Sequence, residues 1–76
     1  IDDVQSLIKG QEILESWAEK QLSKGEDHLL NVATPIFERT MINVALKSTR
    51  GNKSEAAKLL GWGRNTLARK IQELDI

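Results

Sequence analysis

The chain has 76 residues, 39% hydrophobic and 29% charged, with a formal net charge of zero: enough for one small globular domain, and unlike a disordered segment. It has no cysteine and one histidine, which excludes disulfides and thiolate metal sites and leaves almost no material for imidazole chemistry. No apolar run approaches a membrane span, no signal peptide is visible, and no cofactor is expected.

The chain reads as all helix. It holds one proline and no β-branched runs, and Leu, Ala, Lys, Glu and Gln dominate. The first residue is Ile1 rather than Met, the mark of a processed product or an excised domain. Residues 1–10 carry weak periodicity in Val4, Leu7 and Ile8 and end at Gly10, as a short helix or a linker tail. Residues 11–24 place Ile13, Leu14, Trp17 and Ala18 at helical spacing. Gly25 stops this helix, with Lys24 near the negative end of its dipole.

The next segment, residues 27–49, is long. Leu30, Ala33, Phe37, Met41 and Val44 form one stripe, Ile42 and Leu46 fall on nearly the opposite side, and Leu29 and Ile36 lie between. A helix apolar over this much of its girth needs two packing surfaces. One can be its own core. The other fits an identical helix in a second chain better than further neighbours of its own, because a chain this short has few to offer and buries only about 60% of its unfolded surface. Pro35 removes a backbone donor inside this segment. It either kinks a continuous helix or, with Thr34 as N-cap, starts a second one.

Arg50-Gly51 ends the long segment. Asn52 then caps a short helix over residues 53–60, with Glu55 three residues on in a capping-box pattern. Gly61 ends it, Trp62-Gly63 makes a tight connection, and a last helix covers residues 64–74.

These last two helices carry the functional signal. A helix-turn-helix needs small residues where its helices meet and a turn residue that tolerates positive φ. Ala56 and Ala57 supply the first, Gly61 the second, and Leu67 is placed to pack back on the alanines. Leu67, Ile71 and Leu74 form the buried face of the last helix, and Asn65, Arg69 and Gln72 lie opposite. Arg64 and Thr66 sit at its N-terminus, where free N–H groups favour phosphate. Arg can read guanine bidentately, and Asn or Gln can read adenine. A helix with this back and front suits the major groove. A solvated amphipathic helix has a similar composition, but the charge distribution favours an anionic partner. Residues 1–46 hold four bases and eight acids; residues 47–76 hold seven bases and three acids.

The run from Gly51 to Lys70, with Leu59-Leu60-Gly61-Trp62-Gly63-Arg64-Asn65-Thr66-Leu67 at its centre, resembles the C-terminal DNA-binding domain of nitrogen-regulator C (NtrC) family transcription activators. That domain is of the Fis type, named for the factor for inversion stimulation. The segment from Thr34 through Glu38 to Gly51 is also Fis-like, including a proline inside the long helix. The resemblance covers residues 11–76, strongest after 45 and weak before 30.

The resemblance implies an all-α, four-helix homodimer, with residues 11–49 as dimerisation helices and 53–74 as the helix-turn-helix. It implies a cytoplasmic bacterial protein whose parent chain carries an upstream AAA+ ATPase domain. Such activators bind palindromic, enhancer-like double-stranded DNA and act on polymerase holding sigma-N. Carried over by position, base contacts fall on Arg64, Asn65 and Arg69. Phosphate contacts fall on Asn52, Lys53, Ser54, Thr66 and Lys70. The expected dimer interface comprises Leu14, Trp17, Leu30, Ile36, Phe37, Ile42 and Leu46. Where Fis itself has further basic residues this chain has Ala68, Gln72 and Glu73, which suits a specific reader over a general DNA compactor.

The remaining candidates read blandly. His28 is a surface residue at a helix start, Trp62 packs on the helix it follows, and the Asp2-Asp3 and Glu26-Asp27 pairs are first-turn helix acids. No residue set supports catalysis, so the chain is not expected to be an enzyme. The competing function is an oligomerisation or protein-docking module, in which the face of Asn65, Arg69 and Gln72 meets an acidic protein surface.

Overall fold

A computed structural model describes residues 3–76 as four helices, α1 (Val4–Ser23), α2 (Leu30–Ser48), α3 (Lys53–Leu60) and α4 (Arg64–Leu74), with no strand among the described residues. The all-α, Fis-like helix order expected from the sequence is present. The bounds of α3 and α4 are those that their caps and apolar spacing predict.

The N-terminal boundary differs. Helix α1 runs through Gly10 without a break. A mid-helix glycine costs only about 1 kcal/mol relative to alanine, and no proline or cap reinforces the stop. The helix starts where Asp3 accepts hydrogen bonds from the Ser6 amide and hydroxyl. Asp3 is therefore its N-cap and not a first-turn acid; Asp2 lies outside the described residues. At the other end Gly25 takes φ +82°, its N–H bonds Leu22 O, and the Glu26 N–H reaches back to Gln21 O, closing a Schellman motif.

Helix α2 starts at Leu30, three residues later than expected, after a turn in which His28 has φ +54°. Glu26 and Asp27 therefore lie in this connection and not in a first helical turn. Pro35 falls inside a continuous α2, so Thr34 starts no new helix. The missing N–H leaves the Asn31 carbonyl without its helical donor.

Helices α2, α3 and α4 pack together, and α1 packs on none of them. The core is Ile42 and Ala45 of α2, Ala56 and Ala57 of α3, and Leu67 and Leu74 of α4, flanked by Leu46, Leu60, Trp62 and Ile71. Ile42 and Leu67 are both 0% exposed. Full burial of such a side chain contributes about 1.5–3 kcal/mol. Ile42 and, at its edge, Leu46 thus pack in the chain's own core, on the side of α2 that meets α3 and α4. Periodicity separates the two apolar sides of α2 but does not say which meets α3 and α4.

The other expected interface residues lie outside this core. Leu14, Leu30, Ile36 and Phe37 are exposed and Trp17 is half-buried. The chain is also extended. Its radius of gyration is 14.7 Å, against about 11 Å for a compact domain of this length.

Candidate nucleic-acid interface

Helix α3 begins at Asn52, whose side-chain Oδ1 accepts from the Glu55 N–H at 3.1 Å. The reciprocal half of the capping box does not form. The Asn52 N–H donates to Thr49 O instead, and the Glu55 carboxylate faces Lys58 at 3.6 Å. Lys53 and Ser54 follow the cap, both exposed.

The turn is built on Gly61 at φ +79°. Its N–H donates to Lys58 O at 3.1 Å and the Trp62 N–H to Ala57 O at 2.9 Å, a second Schellman motif. An L side chain at Gly61 would be strained by that φ, whatever the space around it. The turn lets Leu67 reach Ala56 and Ala57, whose single methyls allow the close approach. Trp62 packs against the same cluster and lines a shallow apolar groove with Phe37, Met41 and Leu60.

Helix α4 is left open at its N-terminus. Its N-cap is Gly63, which offers no side-chain acceptor, so the first amides of the helix have none from the cap. Arg64 and Asn65 there are exposed, and Thr66 is half-buried. Asn65, Arg69 and Gln72 all lie on the solvent side, opposite Leu67 and Leu74. Arg69 Nη1 is 3.1 Å from Glu73 Oε1, with side chains 60% and 50% exposed. Such a surface pair is worth little and yields readily to another anion. Arg50, Lys53 and Arg64 make no ion pair among the described residues.

Lys70 stands apart. Its Nζ is 2.9 Å from Glu38 Oε2 on α2, and the two side chains are only 22% and 15% exposed. Glu73 Oε2 lies 3.9 Å away on the other side. Its ammonium is held by Glu38 within the chain, unlike that of the exposed Lys53. Helical spacing puts Lys70 beside the buried face and not opposite it. The sequence reading also passed over Glu38 and Arg39. The available signal was Glu38 four residues before Ile42, a charge on the core-facing side of α2.

His28 is exposed, with Nδ1 2.6 Å from Asp27 Oδ1. No group of three or more metal-ligating side chains occurs among the described residues, and no described helix is long and apolar enough to cross a membrane.

Residues 34–74, from the second turn of α2 to the end of α4, match the Fis family of bacterial regulatory proteins. The chain belongs to this family. The Fis-family segment takes in the whole self-contained core and leaves α1 outside. The chain is 53% identical over 62 residues to the DNA-binding transcriptional regulator NtrC of Escherichia coli (strain K12), covering 82% of this chain and 13% of that protein. It is 54% identical over 63 residues to NtrC of Proteus hauseri, covering 83% and 13%. To NtrC of Azospirillum brasilense it is 56% identical over 39 residues, covering 51% and 8%. The Fis-family chain thus spans about one eighth of the length of the NtrC proteins of Escherichia coli and Proteus hauseri. No solved structure is significantly similar to it.

Proposed function

We propose that this chain reads double-stranded DNA in a sequence-specific way, as the homodimeric DNA-binding domain of a cytoplasmic, sigma-N-dependent bacterial activator. Its sites are palindromic and enhancer-like, and an upstream AAA+ ATPase domain of the parent chain remodels polymerase holding sigma-N. The observation that carries the DNA reading is the packing of Leu67 on Ala56 and Ala57, which turns Asn65, Arg69 and Gln72 to solvent at the open end of a helix. Membership of the Fis family and similarity to NtrC proteins, which are DNA-binding transcriptional regulators, support it.

In this reading Arg64, Asn65 and Arg69 contact base edges in the major groove. Asn52, Lys53, Ser54 and Thr66 hold phosphates from the starts of α3 and α4, where backbone N–H groups favour anions. The dimer uses Leu14, Trp17, Leu30, Ile36 and Phe37. Surface area supports it. The protomer exposes 6290 Å², against about 4,700 Å² for a folded monomer of its mass. The excess, about 1,600 Å² per chain, is what an obligate dimer interface covers.

The test is selection from a random duplex pool at near-physiological salt. A palindrome with half-sites about one helical turn apart should be enriched. Arg64→Ala should then cost about 1–3 kcal/mol on that site and relax its preference at one position. No enrichment from a folded dimer would replace DNA with an acidic protein surface as the partner.

A further inference from the structure

One turn of α2 carries four consecutive side chains with two different destinations. Ile36 and Phe37 are exposed apolar residues on the side proposed for the second chain. Glu38 and Arg39 both reach α4. Glu38 takes the Lys70 ammonium at 2.9 Å. The Arg39 Nη2 donates to the Leu74 carbonyl at 3.1 Å, in a partly buried bond. That carbonyl belongs to the last turn of α4, where oxygens lack helical donors and a cation is favoured. Helix α4 has no basic residue in its own last turn, so α2 provides one.

These two contacts are distinctive. Among the described residues, every other side-chain hydrogen bond or ion pair joins residues no more than four apart. Among the described residues, the Glu38–Lys70 and Arg39–Leu74 contacts are the only polar side-chain links between separate helices. Apolar packing at Ile42, Ala56 and Leu67 is non-directional and leaves α4 some freedom to swing on the core. Two charge-assisted contacts, one at Lys70 and one at the C-terminal carbonyl, restrict that swing because each has a narrow geometry.

We infer that Glu38 and Arg39 are positioning residues that fix the angle of α4 against α2, and so set the half-site spacing that a dimer of this chain accepts. The inference rests on the DNA-binding reading above for its consequence, but its geometric part stands on the protomer alone. A small change in the angle of α4, applied in both chains, displaces the two recognition helices relative to each other along the duplex. Neither residue contacts a base, and half-site sequence preference is left to Arg64, Asn65 and Arg69.

The test compares the full chain with Glu38→Gln, Arg39→Gln and the double variant on the selected palindrome and on versions with half-sites one base pair closer or farther. The parent should discriminate against both shifted sites. The double variant should keep its half-site sequence preference while its spacing discrimination falls about tenfold, the effect of losing two charge-assisted contacts in each protomer. Arg39→Lys, which keeps the cation, should restore part of it. Unchanged discrimination, or an equal loss of affinity at all three spacings, overturns the inference. If the double variant fails to fold, the single variants decide by the same ratio.

If the parent selects no duplex, the DNA reading fails by itself, and a distance measurement decides the positioning claim. The chain has no cysteine, so Thr40→Cys and Gln72→Cys accept spin labels cleanly on α2 and α4. The α2–α4 distance distribution should broaden in the Glu38→Gln, Arg39→Gln background. An unchanged distribution overturns the inference.

Discussion

Helices α3 and α4 bury their apolar faces against the inner side of α2, whereas α1 and the outer side of α2 leave theirs in solvent. The two regions have similar raw material. Ile42 and Phe37 stand on the same helix, yet one is 0% and the other 64% exposed. The difference lies in what faces them within the chain. The inner side meets two short helices held by a tight turn, and the outer side leaves Ile36, Phe37 and Val44 largely in solvent. One half of the molecule buries its apolar residues as it stands, and the other would bury them only against the second copy proposed above.

The largest effect that would test this contrast is in the inner half. Leu67→Ala removes a fully buried side chain from a six-residue core. It should cost about 2–5 kcal/mol, read as a lower midpoint in urea unfolding. Next is the outer half: Phe37→Asp should leave helix-turn-helix packing intact while weakening the dimer about a hundredfold, near 2.7 kcal/mol. Sedimentation at graded concentration measures that shift. Loss of the folded core in the same variant would mean that the halves are not separable.

Smaller effects sharpen the contrast at the helix starts. Asn52→Ala removes the Oδ1 acceptor from the Glu55 N–H and should cost about 1 kcal/mol, confined to α3. Hydrogen exchange at Glu55 and Ala56 would show it. The smallest concerns Asp3, whose carboxyl the Ser6 hydroxyl and amide hold below its ordinary pKa. A depressed folded value means the cap's contribution is present above the unfolded pKa and lost as pH falls through the folded one. The Ser6 amide resonance should titrate with Asp3 in that acid range. Ser6→Ala should move the titration toward the ordinary value.

The helix-turn-helix was legible in the sequence because each of its parts is a local signal. Asn52 announces a start, Gly61 a stop, and Ala56, Ala57 and Leu67 a contact at fixed spacing. The solvent side of α4 followed from the spacing of Leu67, Ile71 and Leu74. What was not legible depended on partners distant in the chain. Gly10 looked like a helix end because glycine ends helices elsewhere, yet no cap or proline reinforced it. Ile42 was assigned outward because a helix apolar on two sides does not declare which side is inner. The partner of Lys70 was hidden because Glu38, 32 residues earlier, is invisible to any local rule.

The arrangement of the core has a consequence for the order of folding. All of its contacts lie within α2, α3 and α4, consecutive helices joined by short turns, and none waits for α1 or for a second chain. Loops this short close quickly and helical contacts this local form in microseconds to milliseconds, whereas subunit assembly depends on concentration and is slower. The packing of α4 on α2 and α3 is therefore finished before any second chain is needed. In the proposed dimer, chain concentration rather than folding of the helix-turn-helix would then govern how soon two copies act together.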